Sequence, residues 1–199
     1  MAIAYPLTLP TITGIRNVDF RAVNAVAYSA SPFTFAGQAH AYPGQMWQAE
    51  ITLPAMHRST AETWIAFLMS LRGQYGTFLL GDPRACALRG TAESCTVTGS
   101  SGANTVSAVV PNGETLLAGD YIQLGTGSSA TLHKVLVDYM GTGAAADLEI
   151  WPALRASVSS ASATLSNAVG VFRLSSNETG WSSNELANYG ITFAAREAI

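Results

Sequence analysis

The side chains able to do chemistry are few in this chain, and their spacing limits what they can do. Cys86 and Cys95 stand nine residues apart in "CALRGTAESC". This is neither the CxxC of a redox pair nor part of a four-ligand zinc set. The pair reads as two free thiols or one local disulfide in a loop. His40, His57 and His133 lie far apart, and none sits in an HxH or HExxH context. They read as surface or locally hydrogen-bonded histidines, because a metal needs three or four converging ligands. No GxSxG marks a serine nucleophile. "GTGSSATLHK", which ends at the only lysine, Lys134, lacks the spacing of a phosphate-binding loop and reads as a turn between two strands.

Asp120, Asp138, Asp147 and Glu149 could in principle form the carboxylate pair of a glycoside hydrolase. Asp120 sits in the turn-like "AGDY", where an aspartate more simply holds backbone N–H groups. Tyr121, Trp151 and Trp181 could stack on a sugar, but large aromatics in a β-rich chain belong more often to core or interface. The expectation is therefore no catalytic, cofactor-binding or metal-binding residues, no cofactor, and no enzyme. A structural or assembly component is favoured.

Most of the 199 residues read as short strands bounded by Gly, Pro, Asn or Ser. Examples are "NAVAYSA", "GQMWQAEITLP", "GTFLLGD", "NTVSAVV", "GDYIQLG", "TLHKVLVD", "LEIWPAL" and "YGITFAARE". In "WQAEITL", Trp47, Ala49, Ile51 and Leu53 alternate with polar residues, giving one dry and one wet face. One helix is expected over 59–72. Ser59 and Glu62 spell a capping box, and Trp64, Phe67, Leu68 and Leu71 form one apolar stripe. Arg72 suits the last turn and Gly73 the left-handed position after it. Residues 84–167 are rich in Ser, Thr, Ala and Gly with closely spaced turns, and read as an inserted small all-β barrel or sandwich. The body would then comprise 1–83 and 168–199, with "GTFLL" and "YGITF" in one sheet. The fold class is mainly β with one flanking α-helix.

Hydrophobic residues make up 48% of the chain and charged ones only 12%, with a net charge of −3. Such a surface lacks solubilising groups and suits coverage by partners. No Lys/Arg cluster offers a footprint for a nucleic-acid backbone. "MAIAYPLTLP" lacks a basic stretch and an apolar run of signal length, so it reads as a mature cytosolic start, and "WIAFLMSL" is too short to span a bilayer.

Together, "YPLTLP", "SPFTFAGQAHAYPGQMWQAEITLPAM", "LRGQYGTFLLGDP", "AGDYIQLGTG", "LHKVL", "WPALR", "VGVFRL" and "NYGITFAAREA" cover most of the chain. They resemble the distal tail (Dit-like) proteins of long-tailed bacteriophages and prophages. The resemblance implies a tail-tube-like β-sandwich or split barrel, here as a body carrying an insert. It implies a virion protein of the tail tip, assembled in the host cytoplasm. Such proteins build a hexameric ring that joins the tail tube to the tail hub and baseplate, with DNA only as non-specific cargo in the lumen and no membrane partner. An alternative reading makes the insert a carbohydrate-binding module for host recognition.

Overall fold

A computed structural model describes residues 3–12, 14–184 and 188–199. In chain order the body supplies strands β1 (Asn17–Ala30), β2 (Gly37–Thr52) and β3 (Met56–His57), helix α1 (Arg58–Ser70) and strand β4 (Phe78–Leu80). Eight strands follow: β5 (Thr96–Gly99), β6 (Thr105–Val109), β7 (Thr115–Leu116), β8 (Tyr121–Leu124), β9 (Thr131–Val135), β10 (Tyr139–Met140), β11 (Ala146–Trp151) and β12 (Val158–Ser162). The chain then returns through β13 (Gly170–Leu174), β14 (Trp181–Ser183) and β15 (Asn188–Glu197). The fold is mainly β with one helix.

The first sheet runs β1-β2-β15-β13-β4, with β14 and β3 also paired to β15. "GTFLL" and "YGITF" do share this sheet, separated by β13. The alternation in β2 holds: Trp47, Ala49, Ile51 and Leu53 are buried, and Ile191, Phe193 and Ala195 of β15 continue the dry face. The far edge of the sheet is covered locally, because Leu7 bridges to Phe78 in parallel fashion and bonds Thr77 and Leu79. The β1 edge has no strand beyond it among the described residues.

Helix α1 lies on the dry face. Trp64, fully buried, meets Phe67 and Phe193 with ring centroids 5.9 and 6.3 Å apart. Phe67, Leu68 and Leu71 are buried beside it, as the helical spacing demands. The expected cap is not formed. The helix starts at Arg58 with His57 as N-cap and no side-chain cap bond. β3 feeds directly into the helix, and the pairing of His57 with Asn188 sets where the chain turns. That places Ser59 inside the first turn, and Glu62 pairs with Arg58 at 3.1 Å instead. Arg72 also lies outside the last turn. Leu71 is the C-cap, and Arg72 and Gly73 both take left-handed φ values of 52° and 67°. Gly76 then folds back onto the helix end through its N–H to Leu71 O at 2.7 Å. A Cβ there would clash with the Tyr5 ring and the Leu71 backbone, so the close approach requires glycine.

The second sheet runs β12-β5-β6-β11-β9-β8. Its two ends meet at one bridge, where Gln123 and Thr164 exchange backbone hydrogen bonds of 2.8 and 2.9 Å, so the sheet curls towards a barrel. Its core is built from Val97, Val106, Leu116, Ile122, Leu148 and Ile150 among others. The boundary with the body is not clean in packing terms. Tyr121 and Leu132, both from barrel strands, belong to the body's apolar cluster, and Trp151 packs against it.

Candidate assembly surface

Between Arg21 and Glu50 the chain contains no Asp, Glu, Lys or Arg. A run this poor in charge would ordinarily be core. Here it forms the outer part of the β1–β2 hairpin, which runs in register from Asn17↔Thr52 to Ala30↔Gly37. Residues 24–44 are exposed apart from half-buried Ser31. The tip closes with Ser31 and Phe35 hydrogen-bonded to one another's end of the turn: Phe35 N–H reaches Ser31 O and Ser31 N–H reaches Ala36 O, each at 2.9 Å. It carries Phe33 and Phe35 at 91% and 84% exposure.

β15 accompanies β2 only from Thr52 to Gln48. Beyond that point the hairpin is a two-stranded ribbon, and no strand among the described residues pairs with either outer edge. A ribbon of this kind is marginal in water alone, and an uncharged open edge is a template for another strand. A register shift between Asn24 and Val26 lengthens the β2 side around Pro43, where a proline costs no ladder bond.

The ribbon has two chemically distinct faces, since directly opposed residues share a face. Val26↔Ala41, Tyr28↔Ala39 and Ala30↔Gly37 make one face wholly apolar. The Tyr28 ring lies across Gly37, where a Cβ would run into it. Ala27↔His40 and Ser29↔Gln38 make the other face polar but uncharged. His40 and Tyr42 meet edge-on there at 4.7 Å.

The root of the ribbon is fastened to the barrel. Trp151 Nε1 donates to Asn24 Oδ1 at 2.8 Å. Gln45 Oε1 accepts from Asn104 Nδ2 at 3.2 Å and from Ala153 N–H at 2.7 Å. Trp47 Nε1 donates to Leu132 O at 2.9 Å, and its ring sits edge-on to Trp151 at 4.5 Å. Arg155 forks onto Glu197 at 3.1 and 2.6 Å and also reaches Gln45 O at 2.7 Å. Glu197 in turn accepts the Trp47 backbone N–H at 3.1 Å. These two side chains occupy the β2 edge groups where pairing with β15 ends. No family model and no curated protein matches the chain.

The residues weighed from the sequence fall elsewhere and do not converge. Cys86 and Cys95 are both free thiols, one exposed and one buried, and burial pushes the Cys95 thiol up to about 11. His40 is on the ribbon and His57 caps α1. His133 is fully buried. Its Nδ1 must donate to Pro152 O at 2.8 Å, because a carbonyl only accepts, so Nε2 accepts from Thr131 Oγ1 at 2.9 Å. Among the described residues no group of His, Cys, Asp and Glu could hold a metal ion. Asp120 accepts three backbone N–H groups, from Arg89, Gly90 and Leu117 at 2.8, 3.1 and 2.8 Å. Asp138 accepts one from Ala118 at 2.7 Å, Glu149 accepts from Thr105 Oγ1, and Asp147 is exposed on β11. "GTGSS" is a short 3-10 turn between β8 and β9. Lys134 lies over the Tyr121 ring at 4.4 Å and bonds its hydroxyl.

Tyr121 and Trp151 are thus packed at the junction and form no exposed row on the barrel. Trp181, 47% exposed, lies on the body. It lines an open hollow of about 430 Å3 with Arg16, Thr52, Ser182 and Thr192. Among the described residues no helix is long and apolar enough to cross a membrane. The ribbon residues Val26, Tyr28, Phe33, Phe35 and Tyr42 escaped the sequence reading. The signal for them was present as the missing charge across 22–49.

Proposed function

We propose that this chain is a structural subunit of a phage tail, of the distal tail kind. Six copies close into a ring around the DNA channel, between the tail tube and the hub and baseplate. The observation that carries the reading is the projecting, charge-free ribbon, whose two outer edges pair with no strand among the described residues. Head-to-tail pairing of one copy's β1 edge with the next copy's β2 edge satisfies those backbone groups, and cyclic closure leaves no free end. The number six comes from the resemblance of the sequence to distal tail proteins. The neutral polar face suits a channel in which DNA must slide, because phosphate binding needs the basic groups that this face lacks. The role is assembly, not catalysis.

The test is a reconstruction of the intact tail that carries this chain. Six copies around the axis are expected. A single copy, or a trimer on the axis, would replace the ring with a spike or hub role. A second reading, glycan binding in host recognition, draws on the Trp181 hollow, which Arg16, Thr52 and Thr192 also line. Glycan titration followed by tryptophan fluorescence, with Trp181→Ala as control, separates the two. No saturable change in the wild-type chain removes the glycan reading.

A further inference from the structure

We infer that the apolar face of the ribbon docks on a second copy of this chain, leaving the neutral face to water and to whatever passes the ring. The inference rests on the ring reading and adds to it which face is covered, and by what.

The first ground is continuity. The register shift between Asn24 and Val26 interrupts the alternation, but the opposed pairs keep the same parity on either side of it, from Val18↔Ile51 to Asn24↔Gln45 and from Val26↔Ala41 to Ala30↔Gly37. Even-numbered residues of β1 from Val18 to Ala30, and odd-numbered residues of β2 from Gly37 to Ile51, share one face of one sheet. In the body this face is the dry one, where Ile51, Ala49 and Trp47 are buried. There it is covered by α1, and at the root by the barrel, through Trp151 on Asn24 and through Asn104 and Ala153 on Gln45. Beyond the root nothing among the described residues covers it. The opposite face is wet in the body, with Arg21 paired to Glu50 at 3.1 Å, is crossed by half-buried Val23 opposite Met46, and then runs out into Ser29, Gln38 and His40.

The second ground is area. Tyr28, Phe33 and Phe35 are exposed at 68%, 91% and 84%. At ~200 Å2 per ring this is roughly 500 Å2 of aromatic surface. Val26, the alanines and two strand edges come on top. A standard interface takes roughly 800 Å2 from each partner, so the apolar face together with the two phenylalanines of the tip supplies more than half of one share. The third ground is neutrality. With no charge on either edge or face, nothing selects a partner of opposite sign, and the open β1 and β2 edges complement one another between copies. Exposed Met69 on α1 and Tyr75 just after it give the same chain further apolar surface to offer.

The experiment uses the full chain in sedimentation velocity from about 10 µM to about 1 mM, a range that spans weak protein contacts. The variants are Val26→Asp and Ala39→Asp on the apolar face, and Ser29→Asp and Gln38→Asp on the neutral face. All four sites are exposed, and an unchanged thermal unfolding midpoint verifies folding. The wild-type chain should self-associate. The apolar-face variants should weaken association at least about tenfold, since each buries an unpaired carboxylate, and the neutral-face variants less than about twofold. A wild-type chain that stays monomeric throughout overturns the inference, as does an equal effect on both faces. A closed dimer supports the docking but counts against the ring. A sixfold ring that forms normally with the apolar-face variants overturns the docking and leaves the ring standing.

Discussion

Fully buried between Pro152 and Thr131, His133 is held neutral. Burial lowers its pKa from 6.5 to about 4, against a smaller raising effect of the Pro152 carbonyl, and the Arg155 charge lowers it further. The folded value lies below the unfolded one, so the unfolded chain takes up the proton first. Stability is then complete above about pH 6.5 and falls as pH drops from there towards 4, by about 3 kcal/mol from this group. His133→Gln should flatten the dependence of the urea midpoint on pH in that window, and a slope equal to wild type would show that other groups carry it. Arg155 and Glu197 make a different case. Their side chains are 19% and 5% exposed, so removing one partner strands a buried charge. Arg155→Met should cost about 3 kcal/mol. Adding Glu197→Gln removes the stranded charge, keeps an acceptor for the Trp47 N–H, and should recover about 1–2 kcal/mol in urea unfolding. Simple additivity of the two changes would mean that the pair is not coupled.

At the scale of elements, α1 and the ribbon were legible to different degrees. The stripe Trp64, Phe67, Leu68 and Leu71 fixes which face of α1 is buried, because 3.6-residue spacing leaves no other solution. Trp64→Ala should therefore cost ~3–5 kcal/mol. A loss below ~1 kcal/mol in thermal or denaturant unfolding would mean that the stripe is not packed as described. The start of α1 was not legible, because Ser59 and Glu62 satisfy a local rule that the incoming strand β3 overrides. The outer half of β2 was missed for a related reason. Pro43 and Gly44 break the strand pattern in sequence, yet the register shift opposite Asn24 accommodates them. The missing charge across 22–49 marks the stretch as unusual, but residue types alone do not say that it is exposed. Phe33, Phe35 and Tyr28 look like core, and only the absence of a covering element among the described residues puts them in water.

For the whole molecule the question is how far the barrel and the body stand alone, and the packing makes the answer unequal. The two ends of the barrel sheet meet at Gln123 and Thr164, and its core of Val97, Val106, Ile122, Leu148 and Ile150 is supplied from within. The body is not self-sufficient in the same way. Its cluster includes Tyr121 and Leu132 from the barrel, and Trp47 gives its indole N–H to Leu132 O. Removing 84–167 takes away Arg155 as well, which leaves Glu197 buried beside the Trp47 backbone without its cation. The root of the ribbon would lose Trp151 from Asn24, and Asn104 and Ala153 from Gln45. Residues 84–167 expressed alone should therefore give a folded β unit with dispersed amide resonances. The body rejoined by a short Gly/Ser linker should keep α1 on β15, but should expose Trp47 and lose amide-exchange protection from Gln45 to Trp47. Full protection of those amides in the rejoined body would show that the hairpin root is held by the body sheet alone. The barrel would then have no part in aiming the ribbon.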